Sequence, residues 1–196
     1  GAGGVLIHGA LPQEPATVAG PASIRRLNPV QYSRSIEDIF GPGIDIPGRF
    51  DPPPREDGLL AVGDSRTVVT SSGFEQAEMR AREISAQVFA EDRRQKVMPC
   101  VPQSTRTFAR ACATQFVEKY GRLLYRRPLQ PAEVSSVLEI VRLAADGAQD
   151  FYEGLGTGLA RLLVSPNFLF RVEQTSEAGG REVQRLDDYS LATRIS

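Results

Sequence analysis

Three alternating glycines in the stretch FYEGLGTGLARLLVSPNFLFRVE, residues 151–173, are the first candidates for chemistry, since glycine-rich loops can cradle a phosphate. A dinucleotide-binding loop of this kind follows a strand and opens a helix. Here the preceding segment has the pattern of a helix ending near Gly147, and no Gly-Lys-Ser/Thr sequence of a P-loop follows. Gly154 and Gly158 are four residues apart within a helical pattern, so they lie on one face. The pattern therefore predicts close helix packing rather than phosphate binding.

A second candidate site is the long irregular segment 41–70, which is rich in proline and glycine and carries several carboxylates. Long loops in compact domains are often functional, and carboxylate oxygens are suitable calcium ligands. The weak calcium candidates are Asp45, Asp51, Asp57 and Asp64. Their spacing does not match an EF-hand loop, so the favoured interpretation is solvated turn residues without a metal.

Arg126 and Arg127 are the third candidate, because neighbouring arginines can clamp an anion or a carboxylate. They end a helix predicted from about Ser104 to Tyr125, and Pro128 follows them. Cations at a helix C-terminus also interact favourably with the helix dipole. The sequence leaves both interpretations open, a helix stop and an anion-binding site.

The chain has two cysteines, Cys100 and Cys112, and one histidine, His8. The cysteines are too far apart for a CxxC redox motif and too few for a structural zinc site without several histidines. The helical spacing around Cys112 predicts that it points into the core, where Cys100 on the preceding connector could reach it. From the residues alone, the two form a disulfide in an exported protein and remain buried thiols in a cytosolic one.

No catalytic constellation is visible in the sequence, which has no usable histidine, no cluster of metal ligands and no nucleophile elbow. The formal net charge of -1 gives no electrostatic basis for binding nucleic acid or anionic lipid. No apolar run approaches the roughly 20 residues that span a bilayer, so no transmembrane segment is expected. The composition, with 41% hydrophobic and 24% charged residues, is typical of a globular protein.

Helical signals dominate the chain. Asn28 and Pro29 open a first helix that Gly41 ends, and Ser72 with Glu75 forms a capping box for a second. Helices are predicted over 28–41, 72–90, 104–125, 131–147, from Asp150 up to Ser165, from Ser165 to Val172, and from Asp187 or Asp188 onward. We therefore expect an all-α fold, a multi-helix orthogonal bundle with the irregular Pro/Gly-rich loop 41–70.

The same pattern divides the chain into four segments. They are a flexible tether at 1–22, a first helical module at 23–98, a second helical module at 99–175, and at 176–196 a linker with the first helix of a truncated downstream domain. The last helix stops in mid-pattern, which suggests a fragment of a longer polypeptide.

Several motifs in a fixed order resemble a known family. They are RRLNPVQYSRSIEDIFG at 25–41, ACATQFVEKYGRLLYRRPLQPAEV at 111–134, LLVSPNFLFRVE at 162–173 and LDDYSLATRIS at 186–196. Together they resemble the first two modules, and the start of the third, of the surface-domain proteins of planctomycetes and myxobacteria. The resemblance covers about residues 23–196.

This resemblance implies domains of unknown function in an exported protein, periplasmic or associated with the cell surface or outer membrane. It implies a lipid anchor upstream of residue 1, as in lipoproteins, and it favours a disulfide between Cys100 and Cys112. Many members also carry a c-type cytochrome module. Because this chain has no CxxCH motif, we expect no cofactor in it, and a c-type haem would lie elsewhere in the full-length protein. No catalytic residue can be carried over.

Two functions are open at this point. The favoured one is a non-catalytic helical structural or interaction module of a larger exported surface protein, whose partner is the remainder of the same polypeptide or another protein. The alternative is the N-terminal supporting part of a secreted oxidoreductase or hydrolase with its active site or haem downstream. In that case residues 45–64, Arg126 and Arg127 would line the site.

Overall fold

The computed structural model describes residues 24–50 and 71–172, together with two-residue strands at 55–56, 59–60, 175–176 and 185–186. Several sequence predictions lie outside the described residues. These are the tether at 1–22, the helix beginning at Asp187 or Asp188, and three of the calcium candidates, Asp51, Asp57 and Asp64.

Helices make up most of the described structure, and the fold class is all-α, as predicted. In chain order the helices are α1 (Pro29–Phe40), α2 (Ser71–Val88), α3 (Glu91–Val97), α4 (Arg110–Tyr125), α5 (Pro131–Ala148), α6 (Phe151–Leu163) and α7 (Pro166–Leu169). The strands are β1 (Ile24–Arg26), β2 (Arg55–Glu56), β3 (Leu59–Leu60), β4 (Phe170–Val172), β5 (Thr175–Ser176) and β6 (Arg185–Leu186). They form three antiparallel pairs, β1 with β4, β2 with β3 and β5 with β6.

Capping residues read from the sequence begin three of the helices. The Asn28 side chain accepts a hydrogen bond from the Gln31 backbone N–H at 2.8 Å, and the Asn28 N–H donates to Gln31 Oε1 at 3.1 Å. The Asp150 carboxylate caps α6, and the Ser165 hydroxyl caps α7. These bonds satisfy N–H groups that have no partner within the helix.

Helix boundaries differ from the predictions in three places. The helix α3 was not predicted. The helix α4 begins at Arg110 rather than near Ser104, because the Thr105 carbonyl accepts a hydrogen bond from the Phe151 N–H at 2.8 Å, which ties the preceding connector to the start of α6. At the end of α5, Gln149 and not Gly147 adopts the left-handed conformation, with φ of 53°.

The largest correction concerns the predicted helix 165–172. It ends at Leu169, and the following residues form β4, which pairs with β1 near the start of the described chain. A hydrogen bond of 2.8 Å from the Leu27 N–H to the Leu169 carbonyl extends this pairing. The pairing joins the beginning of the first predicted module to the end of the second.

One hydrophobic core draws on both predicted modules. The helix α6 packs against α5, α2 and α4. The core side chains of α6 are fully buried, namely Phe151, Leu155, Leu159 and Leu162. They belong to the same core cluster as Ile36 of α1, Ile84 of α2 and Phe116 of α4.

The predicted packing glycines of α6 lie against α5. A methyl group added at Gly154 would lie 2.6 Å from the Val141 carbonyl oxygen and 2.6 Å from the Ala145 Cβ. One added at Gly158 would collide with a methyl group of Val141. Gly156 differs, because the nearest atom to an added methyl group is a ring carbon of Phe89 at 3.7 Å, an ordinary contact distance.

Alanine at Gly154 and alanine at Gly156 should have opposite effects on the stability of the fold. We expect Gly154→Ala to lower the free energy of unfolding by about 2 kcal/mol, because overpacking against a backbone outweighs the gain in helix propensity. We expect Gly156→Ala, two residues away on the same helix, to raise it by up to about 1 kcal/mol. Urea denaturation of the two variants measures both values, and a stabilised Gly154→Ala would show that α5 and α6 do not pack this closely.

Candidate functional site

The two cysteines form a disulfide, as predicted. Cys100 lies on the connector before α4, Cys112 lies in the first turns of α4, and their Cα atoms are 5.6 Å apart. The bond removes both thiols from nucleophilic, redox or metal-binding chemistry unless it is reduced. It is consistent with an oxidising, extracytoplasmic location.

The first part of the candidate site is a clamp on residues 41–49, which we call the clamped segment. Its central residue is Arg80 of α2, with only 2% of its surface exposed. The Arg80 guanidinium donates hydrogen bonds to the carbonyl oxygens of Pro47 at 3.1 Å and Arg49 at 2.7 Å. It also lies 3.8 Å from the ring centre of Phe50, within the range of a cation–π interaction.

Two further side chains hold the other half of the clamped segment. The Gln87 amide pairs with the backbone of Asp45, accepting from its N–H at 2.8 Å and donating to its carbonyl at 2.9 Å. Arg93 of α3 donates to the carbonyl oxygens of Phe40, the last residue of α1, and of Pro42 and Gly43, at 3.1–3.3 Å. A segment without regular secondary structure is therefore fixed along most of its length by side chains from α2 and α3.

Sequence reasoning missed this clamp. Its one readable signal is the position of Arg80, three residues after Ala77 and four before Ile84 on the apolar face of α2. An arginine on a buried helix face needs hydrogen-bond acceptors, and irregular backbone nearby is a ready source of them. The identity of those acceptors could not be read from the sequence, because they lie more than thirty residues away.

Asp45 is the calcium candidate that lies within the described residues. Its backbone N–H is hydrogen-bonded to Gln87, and the residue is exposed to solvent. Among the described residues no group of three or more histidine, cysteine or acidic side chains is arranged to hold a metal ion.

A cavity of about 220 Å³ lies between α1 and the clamped segment, lined among others by Ser33, Glu37 and Ile46. It is smaller than the usual cavities for drug-sized ligands.

The second part of the candidate site is a polar cluster around Glu133, at the start of α5. Arg127 donates to both carboxylate oxygens of Glu133 at 2.8 Å. The Gln130 N–H donates to Glu133 Oε2 at 2.7 Å, and the Asn167 side chain of α7 donates to Oε1 at 3.2 Å. The cluster thus joins the turn between α4 and α5 to the start of α7.

These hydrogen bonds determine the charge states in the cluster. The bond from Arg127 lowers the pKa of Glu133, and the same bond raises the pKa of Arg127. An ionised carboxylate whose two oxygens each accept two hydrogen bonds is a poor general base. The structure therefore separates the two predicted anion-binding residues, because Arg127 is paired with Glu133 while Arg126 is not part of this cluster.

The stability of the fold should depend on pH through Glu133. Its folded-state pKa lies below its unfolded value of about 4.3, so the pair stabilises the fold above that pH and loses its effect as pH falls through the folded pKa. We expect Glu133→Gln to lower the free energy of unfolding by about 2 kcal/mol at neutral pH. We also expect it to flatten the loss of stability between about pH 5 and pH 3.

The control for this experiment is Glu139→Gln. Glu139 pairs with Arg142 on the exposed side of α5, so its removal should have a much smaller effect. Denaturant titrations at several pH values make the comparison. If the free energy of unfolding depended on pH equally in the wild type and in Glu133→Gln, ionised Glu133 would not be the group that stabilises the fold.

The buried tyrosines provide no acid or base near neutral pH. Burial raises the pKa of Tyr32, Tyr120 and Tyr125. The Tyr120 hydroxyl donates to the Val97 carbonyl at 2.6 Å, which fixes the end of α3 against α4. Their contacts indicate a structural role.

Two general features of the described part of the chain bear on its setting. No helix there is long and apolar enough to cross a membrane. Both cysteines are in the disulfide, and the single histidine, His8, lies outside the described residues.

Comparison with protein families identifies two domains in the chain. Residues 25–90 match PSD3, described as a protein of unknown function (DUF1587), and residues 112–173 match PSD5, described as a protein of unknown function (DUF1595). These are the domains of unknown function that the sequence motifs resembled. The first match includes Arg80 and Gln87 of the clamp, and the second includes the whole Glu133 cluster. No match was found among curated proteins or among solved structures.

Proposed function

We propose that this chain is a non-catalytic helical module of a larger exported surface protein, and that the clamped segment forms its contact with the remainder of that polypeptide. The observation that supports this most strongly is the use of Arg80, Gln87 and Arg93. All three long polar side chains bind backbone atoms of one irregular segment, which they hold in a fixed conformation.

Fixing a loop in advance favours binding. An ordered segment loses less conformational entropy when it meets a partner, and loops held by a rigid scaffold are common recognition surfaces. Pro42, Asp45 and Arg49 are exposed in the clamped segment, so it offers side chains of both charges to a partner.

The proposed exported setting is supported by the disulfide, which persists in oxidising compartments. A periplasmic or cell-surface location with a lipid anchor, and a c-type haem elsewhere in the polypeptide, are parts of the proposal that rest on the resemblance of the motifs. The chain itself takes no cofactor in this proposal.

Hydrogen–deuterium exchange tests the proposed contact. The amides of residues 43–49 would be compared between the full-length polypeptide from its natural host and the chain of residues 1–196. We expect slower exchange in the full-length polypeptide for these amides, with unchanged exchange on the exposed side of α5 around Glu139. Equal exchange of the clamped segment in both samples would contradict the proposal.

A further inference from the structure

The PSD3 and PSD5 domains meet through pairs of aromatic rings. Phe40 at the end of α1 stacks on Tyr120 of α4, with ring centres 5.1 Å apart. Phe89, just after α2, lies with its ring centre 5.2 Å from that of Phe116 of α4. In both pairs one ring belongs to the PSD3 domain and the other to the PSD5 domain. Each domain therefore covers buried rings of the other.

Aliphatic side chains continue this interface along α2 and α6. Ile84 and Val88 of α2 are fully buried, and so are Leu155 and Leu159 of α6, against which α2 packs. The four side chains belong to one core cluster. The apolar face of α2 is therefore closed by a helix of the other domain.

Backbone hydrogen bonds also join the two domains. Strand β1, at the start of the PSD3 domain, pairs with β4 at the end of the PSD5 domain. Beside this pair, the Leu27 N–H donates to the Leu169 carbonyl at 2.8 Å. Neither strand has this ladder without the other, so separating the domains would leave backbone N–H and C=O groups without their partners.

Each domain is too small to replace what this interface supplies. Domains of about 60 residues bury so little of their surface that they are only marginally stable, and each matched range has about that length. The two helices of the PSD3 domain, α1 and α2, have α4 and α6 of the other domain as their main helix neighbours. Without those neighbours the PSD3 domain would keep the clamp on its loop but little apolar core.

We propose that the apolar face of α1 and α2 is an interaction surface whose partner is the PSD5 domain, and that the two domains fold and unfold as one cooperative unit. The family models match them as two separate ranges, whereas each domain supplies part of the other's core. This inference is independent of the clamped segment and of the partner proposed for it.

Hydrogen exchange of the intact chain of residues 1–196 tests this unit. The reporters are the slowest-exchanging amides of α2 in the PSD3 domain and of α5 in the PSD5 domain. Such amides exchange through global unfolding, so we expect their protection factors in the wild type to agree within about threefold. The helix α5 is a suitable reporter because it packs against α4 and α6 of its own domain.

Two variants disturb one domain each. Arg80→Met removes hydrogen bonds made within the PSD3 domain, and Gly154→Ala crowds α6 against α5 within the PSD5 domain. We expect Arg80→Met to speed the exchange of the α5 amides by about a hundredfold or more, and Gly154→Ala to speed that of the α2 amides by about thirtyfold. Arg82→Met, which loses only an exposed ion pair, should change neither set.

Independent domains would give a different pattern. The proposal is overturned if α5 keeps its wild-type exchange in Arg80→Met, or if Gly154→Ala affects α5 and leaves α2 unchanged. It is also overturned if the protection factors of α2 and α5 in the wild type differ by more than about tenfold. Should Arg80→Met leave the PSD3 domain unfolded, protected α5 amides would contradict the proposal and unprotected ones would support it.

Discussion

Replacing Arg80 with methionine should destabilise the protein by about 4 kcal/mol, the largest effect we expect from a single substitution. Methionine fills similar volume but leaves the carbonyl oxygens of Pro47 and Arg49 without their donor, and each unsatisfied group costs about 1–3 kcal/mol. The cation–π contact with Phe50 is lost as well. For a chain of this length the Tm should fall by roughly 8–16 °C.

The matched control is Arg82→Met on the same helix. Arg82 is exposed and pairs only with Glu78 at the surface, so its loss should change the free energy of unfolding by less than about 0.5 kcal/mol. Chemical denaturation of both variants gives the comparison. Similar small effects for Arg80→Met and Arg82→Met would show that the clamp does not hold residues 47–49.

Removing the disulfide should have the second-largest effect. The bond joins residues separated by 12 positions, and closing a loop of this size stabilises a fold by about 3 kcal/mol in the chain-entropy model. Cys100→Ala with Cys112→Ala should therefore lower the Tm by roughly 6–12 °C. The Tyr120 bond to Val97 remains in this variant and holds the start of the connector in place.

Reduction provides an internal control for this prediction. Dithiothreitol should lower the Tm of the wild type to about that of the double alanine variant and should leave the variant unchanged. A wild type that is insensitive to the reductant, with two free thiols in the denatured protein, would mean that the disulfide does not form.

The fold class was readable from the sequence because its signals are local. Asn28, Asp150 and Ser165 cap the helices expected from them, and the apolar spacing in α4 and α6 predicts their buried faces. The pairing of β1 with β4 was not readable, because each strand has only three residues and its partner lies near the other end of the described chain. Short strands at such separation leave no periodic pattern.

The candidate site could be predicted from the sequence only in part, for a related reason. The sequence predicts that Arg127 follows the end of one helix and that Glu133 lies at the start of the next. Their ion pair could not be predicted, because it depends on how the chain turns at Pro128. Arg80 was hidden among the charged residues of α2, and its acceptors are backbone carbonyls that no side-chain motif reveals.

In the proposed function, the clamped segment is a preformed contact surface. The most direct test uses calorimetry to measure the affinity of residues 1–196 for the proposed remainder of the polypeptide, produced separately. Asp45→Lys with Arg49→Glu exchanges two exposed charges without altering the net charge or the backbone atoms that the clamp holds. The control, Glu139→Arg with Arg142→Glu, exchanges an exposed pair on α5 in the same way. We predict at least about tenfold weaker binding for the first variant and unchanged binding for the control; equal affinity of the first variant and the wild type would contradict the claim.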